Sequence, residues 1–64
     1  MEDYQERVVQ EKADLDIRAK ALSDYMHGDF YANLPAIDQG LLMVQLEFMK
    51  GYSNTLARRI DLFK

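Results

Sequence analysis

Six side chains of this sequence have the chemistry to hold a phosphate-bearing ligand that carries a base: Tyr4, Arg7, Lys12, Tyr52, Arg58 and Arg59. Guanidinium and ammonium groups donate to phosphate oxygens, and a tyrosine ring offers a stacking face to a base. Their placement matters more than their number. Gln45, Tyr52 and Arg59 recur every seven residues alongside Leu42, Met49 and Leu56, and Lys12 falls between Val8 and Leu15, so polar groups interrupt an otherwise apolar stripe. If the chain doubles back over residues 27 to 35, antiparallel pairing sets Lys12 against Tyr52, Leu15 against Met49 and Val8 against Leu56, and brings Tyr4 and Arg7 to Arg59. The open end of such a hairpin then gathers two rings and four cations. A purely structural reading competes with this one. Lys and Arg lay their methylenes along a seam and send the charge outward, Glu2, Glu6 and Glu11 are available as counter-ions, and tyrosine suits an oligomer interface.

Catalysis is not expected. The sequence has no metal-ligand cluster, no glycine-rich phosphate loop and no nucleophile with a base at a readable spacing, so neither a metal nor a cofactor is implied. His27 stands beside Gly28 at an expected helix end, where a cationic ring satisfies terminal carbonyls more readily than it serves as a general base. Asp14 and Asp16 are two apart, point to different sides of a helix and read as solvated surface.

The elements that must position these groups are helices. From Asp3 to Met26 there is neither Gly nor Pro, and Val8, Leu15, Ala19, Leu22 and Met26 recur at threes, fours and sevens. Acidic residues load the first turn, and Gly28 follows as a C′ glycine, so a first helix is expected over residues 3 to 27. Residues 28 to 34 form the connection, with one helical turn capped by Asp29 and with Phe30 and Leu34 plugging the closed end. Pro35 disfavours helix at Leu34 but suits a first turn, so the second helix is expected over residues 35 to 62.

That second helix carries too much apolar surface for one partner. Leu42, Met49, Leu56 and Phe63 repeat every seven residues, and Leu41, Val44, Phe48 and Ile60 widen the stripe. Gly40 and Gly51 fit close approach of another backbone at an interface. A domain of roughly 60 residues buries only about 60% of its unfolded surface, and small scaffolds add disulfides, metal or assembly. With no cysteine and one histidine among 64 residues, assembly remains. The expected architecture is therefore all-α: a single domain over residues 1 to 64, an antiparallel two-helix hairpin that assembles with copies of itself into a helical bundle.

The net charge of −3 disfavours a nucleic acid polymer as partner, because such binding neutralises phosphates with clustered bases. The acidic start Met-Glu-Asp-Tyr-Gln-Glu does not resemble a targeting peptide, and no apolar run approaches the ~20 residues of a membrane span. A cytoplasmic location with no membrane partner is expected.

Arg7-Val8, Glu11-Lys12, Leu15 and Leu22, followed by Phe30, Leu34, Gln39, Leu41-Leu42, Gln45, Met49, Tyr52, Leu56 and Arg59-Ile60, resemble a family of small helical phage proteins first named from a crAss-like phage. The likeness covers nearly the whole chain. Gly40 and Pro35-Ala36-Ile37 depart from the acidic residues expected there, which touches only the start of the second helix. The resemblance implies a phage accessory protein acting against host defence in the bacterial cytoplasm. A looser analogy, resting on size, helical build and the Tyr, Lys and Arg grouping, is to phage nucleotide sponges that sequester the signals of CBASS or Thoeris immunity. The expectation is a non-catalytic homo-oligomer that captures a cyclic oligonucleotide or cyclic ADP-ribose type second messenger. The alternative is an interaction module that inhibits a host protein through the surplus apolar helix face.

Overall fold

A computed structural model describes residues 2–63, and every element among them is helical: α1 spans Asp3–Tyr25, α2 spans Asp29–Ala32 and α3 spans Ala36–Asp61. The two long helices pack together as a hairpin, with α2 in the connection. The start of α1 is fixed by the Gln5 side chain, whose carbonyl oxygen accepts from the Glu2 backbone N–H at 3.0 Å. One orphan donor of the first turn is thereby satisfied.

The chain leaves α1 differently from the expectation. Gly28 has φ −95° and ψ 168°, an extended conformation open to any residue, and acts as the N-cap of α2. It is not a left-handed C′ glycine, and Asp29 is the first residue of α2, where its charge faces the positive helix end. The last carbonyls of α1 are met instead by tight turns and by His27, whose ring N–H at Nδ1 donates to the Ser23 carbonyl at 2.7 Å. Phe30 does not plug the closed end either. It is 74% exposed and leans on Tyr25, whereas Tyr31 turns inward and is half-buried.

Gln39 does the closing. Its side-chain amide donates to the carbonyls of Tyr31, Ala32 and Leu34 at 3.1, 3.2 and 3.0 Å, and the Tyr31 hydroxyl donates back to the Gln39 carbonyl at 3.1 Å. Carbonyls of α2 and of the link that follows it thus gain a partner from the first turn of α3, and the turn is tied to that helix. Pro35 is the N-cap of α3 rather than its first residue, with φ −54° and ψ 147°.

Between the helices the core is thin. Val8, Leu15 and Leu56 form one buried cluster, with Met49, Ile60 and Phe63 packed against it, and Leu46 is buried farther toward the turn. The inward residues of α3 therefore run Leu42, Leu46, Met49, Ser53, Leu56 and Ile60. A second line starts on the opposite side of the same helix. Ile37, Leu41, Val44, Phe48, Gly51, Thr55, Arg58 and Leu62 alternate spacings of four and three, and every one of them is exposed. The broad stripe read from the sequence is two stripes back to back. The molecule is a rod of 46 × 14 × 13 Å with a radius of gyration of 14.7 Å, against about 11 Å for a compact chain of this length.

Candidate functional site

The six expected ligand-binding side chains are distributed around this rod by the period of each helix. Tyr4, in the first turn of α1, meets Phe63 just beyond the end of α3, edge to face with ring centroids 5.8 Å apart. Arg7 lies one turn on, exposed, in a shallow depression that it shares with Asp3, Glu6 and Gln10. The expected meeting of Tyr4 with Arg59 is replaced by the ring contact with Phe63.

Lys12 also finds another partner than the Tyr52 set opposite it by the sequence register. Its ammonium donates to the Asp16 carboxylate at 2.6 Å, one helical turn away. Asp16 in turn accepts from the Ser53 hydroxyl, the one side-chain hydrogen bond among the described residues that joins α1 to α3. Lys12 and the Ser53 hydroxyl hold the Asp16 carboxyl below the usual carboxylate range, against burial, which pushes it up. Asp16 is thus half-buried and bridging, not the solvated residue expected, while Asp14 accepts from Gln10 on the exposed side. By helical spacing this polar bridge occupies one flank of the seam, and Tyr52 and Arg59 occupy the other. Lys12 and Tyr52 are not brought together within one hairpin.

Tyr52 belongs to a different feature. It is 45% exposed and borders an open groove of about 620 Å³ floored by Leu41, Val44, Phe48 and Met49, with Gln45 as the other polar edge. Arg59 follows Tyr52 by two turns on the same side, and Arg58 projects from the outward line. Among the described residues the ion pairs are Lys12 with Asp16, Lys20 with Asp24, and Lys50 with Glu47. No described carboxylate therefore neutralises Arg7, Arg58 or Arg59, and the counter-ion role expected of Glu2, Glu6 and Glu11 is not taken up. No group of metal-ligating side chains and no helix long and apolar enough to cross a membrane occurs among the described residues.

Sequence reasoning missed three functional neighbours. Leu46 was hidden by apolar residues on both faces of α3. Ser53 pairs with a residue 37 positions away, beyond any local pattern, whereas the Lys12 to Asp16 spacing of four could have flagged Asp16.

Comparison with known proteins places these features in a family. The chain is 36% identical over 61 residues to an "Uncharacterized 7.5 kDa protein in denB-rIIB intergenic region" of Enterobacteria phage T4, covering 95% of each chain. No solved structure matches. The Sequestin family model matches residues 2–62, a span that includes α1, α2 and α3 and all six candidate ligand-binding side chains. This chain, a small helical protein with a phage relative, belongs to the Sequestin family.

Proposed function

We propose that this protein binds and withholds a nucleotide immune signal, of the cyclic oligonucleotide or cyclic ADP-ribose type, and so blunts CBASS or Thoeris defence without turning the signal over. The observation that carries this reading is the groove beside Tyr52: an apolar floor, a ring at its edge and, two turns along an otherwise acidic molecule, guanidinium groups that no described carboxylate pairs. Tyr52 would stack on a base, Arg59 and Arg58 would take phosphate oxygens, and Tyr4, Arg7 and Lys12 would contribute where hairpins meet in a homo-oligomer. The family's name, Sequestin, suggests sequestration, and the phage relative is consistent with capture in the host cytoplasm. The resemblance to the family first named from a crAss-like phage points the same way.

A second reading rests on the exposed apolar line of α3, which could seat a helix of a host protein and inhibit it. One panel separates the two. Incubation with cyclic dinucleotides, cyclic trinucleotides and ADP-ribose isomers, followed by thermal denaturation and chromatography, is expected to show a raised melting temperature with ligand recovered intact. Cleaved ligand would indicate an enzyme, and no shift across the panel would favour the protein-binding module.

A further inference from the structure

The buried cluster between α1 and α3 is apolar throughout, and its members repeat with the same period on both helices. Val8, Leu15 and Leu22 stand seven apart on α1, and Leu42, Met49, Leu56 and Phe63 stand seven apart on α3. Such a seam still matches apolar side chains to apolar side chains after one helix slides past the other by seven residues, or about 10 Å.

The connection does not forbid that slip. Ten residues, 26 to 35, lie between the end of α1 at Tyr25 and the start of α3 at Ala36, and a chain of that length reaches about 33 Å when extended. The bonds of Gln39 hold α2 to α3 and none of them reaches α1. Tyr25 meets α2 through ring contacts with Phe30 and Tyr31.

A polar pair marks one register among these. The inward line of α3 has one polar member, Ser53, between Met49 and Leu56. Asp16 follows Leu15 on α1, is half-buried, and accepts from the Ser53 hydroxyl across the seam and from Lys12 within its own helix. The Lys12 pair is internal to α1 and survives in every register, so the Ser53 bond alone discriminates. A slip of seven residues sets Leu46 or Ile60 against the Asp16 carboxylate, which loses its hydroxyl donor. Turning α3 to offer its outward line supplies no substitute, because the hydroxyl of that line, Thr55, already donates to the Gly51 carbonyl at 3.0 Å. In paired helices a single polar residue in the seam fixes register at some cost in stability.

We propose that Asp16 and Ser53 are the positioning pair of this hairpin: their hydrogen bond selects, among several apolar pairings, the register that brings Tyr4 to Phe63 and sets Arg7 level with Arg59. A slip parts those groups by about two helical turns, so the pair acts on the open end through the helices. That consequence for a ligand rests on the nucleotide reading, whereas the register does not.

The sequence has no cysteine, so spin labels attach only where thiols are introduced. Arg18→Cys with Asp61→Cys puts one label on an exposed position of each long helix. Doubly labelled chains diluted in unlabelled protein report the distance within one chain by pulsed electron spin resonance, and a single distance is expected. Asp16→Leu with Ser53→Ala makes the seam wholly apolar; it is expected to retain helical circular dichroism and to add a second distance. One unchanged distance in that variant would overturn the proposal. Loss of its helix would overturn it as well, since the pair would then hold the fold rather than choose its register. Asp16→Asn keeps an acceptor for the Ser53 hydroxyl and is expected to keep the single distance, and two distances there would overturn the assignment to this hydrogen bond. No nucleotide is present in the measurement, so its failure is distinct from a failure of the nucleotide reading.

Discussion

The two faces of α3 are built from the same residue types and do different work. The inward face carries Leu56, which has no exposed surface at all, and meets α1 through Val8 and Leu15. The outward face is equally apolar from Ile37 to Phe48 and meets nothing within the chain. Hydropathy along one helix therefore does not distinguish a residue that holds the fold from one that waits for a partner. Position relative to α1 does, and the difference can be broken experimentally from either side.

The largest effect is expected inside. Leu56→Ala removes the most buried side chain of a core with few members, and such changes cost about 2 to 5 kcal/mol. For a chain this small, most of the helical circular dichroism signal should be lost at room temperature, and a cooperative melt close to that of the parent would show that the seam is not what holds the hairpin. Met49→Asp should act in the same direction, since an unpaired charge would enter the partly buried cluster.

A smaller effect is expected at the groove. Arg59→Lys keeps the charge but loses the planar fork that grips phosphate in two bonds. Nucleotide affinity by calorimetry should fall about tenfold, or ~1.4 kcal/mol, with the melting temperature nearly unchanged. Tyr52→Ala should weaken binding by about 1 to 3 kcal/mol through lost stacking. Unchanged affinity in both would move the ligand away from this flank.

Smaller again is the acid response of the polar bridge. The Asp16 carboxyl titrates lower in the folded chain than in the unfolded one, chiefly because Lys12 and then Ser53 bond its charged form. Its contribution is therefore complete above the unfolded value of about 3.9 and is lost as pH falls through the folded value. Thermal melts from pH 7 down to pH 3 should show this loss in the parent and not in Asp16→Asn, and parallel curves would show that the bridge adds nothing. The smallest effect is expected from Gly40→Ala, where a methyl enters open space and helix propensity improves by up to about 1 kcal/mol; a lowered melting temperature would contradict the exposure of that face.

Much of the hairpin was legible because Val8, Leu15 and Leu56 stand at helical spacings with turn signals between them, and both long helices lie within a few residues of the expected bounds. The division of α3 into two faces was not. Between Leu41 and Met49 seven of nine residues are apolar, so a period read along the helix has no contrast to report. Gly28 illustrates another limit: composition marks a break in the chain, but the sign of φ depends on whether another helix starts at once, as α2 does here. The candidate site was legible as a set of residue types. Its division between two flanks depends on a helix register that a shift of a few residues changes, and the Asp16 to Ser53 and Tyr4 to Phe63 contacts place that register a few residues away from the one expected.

The hydrogen bonds around Gln39 give the hairpin a direction in time as well as in space. Closing a loop this short costs little chain entropy, and the Tyr31 and Gln39 bonds reward it immediately, before any residue of the open end has found its partner. Helix pairing is expected to proceed from the turn toward Tyr4 and Phe63, and to reverse from those same ends. Backbone amides near both chain ends should exchange with solvent through brief local opening, while those beside Leu46 wait for the whole molecule to unfold. The open end, where Tyr4 packs on Phe63, is then the part of the hairpin expected to come apart first, and the turn tied by Gln39 the part expected to come apart last.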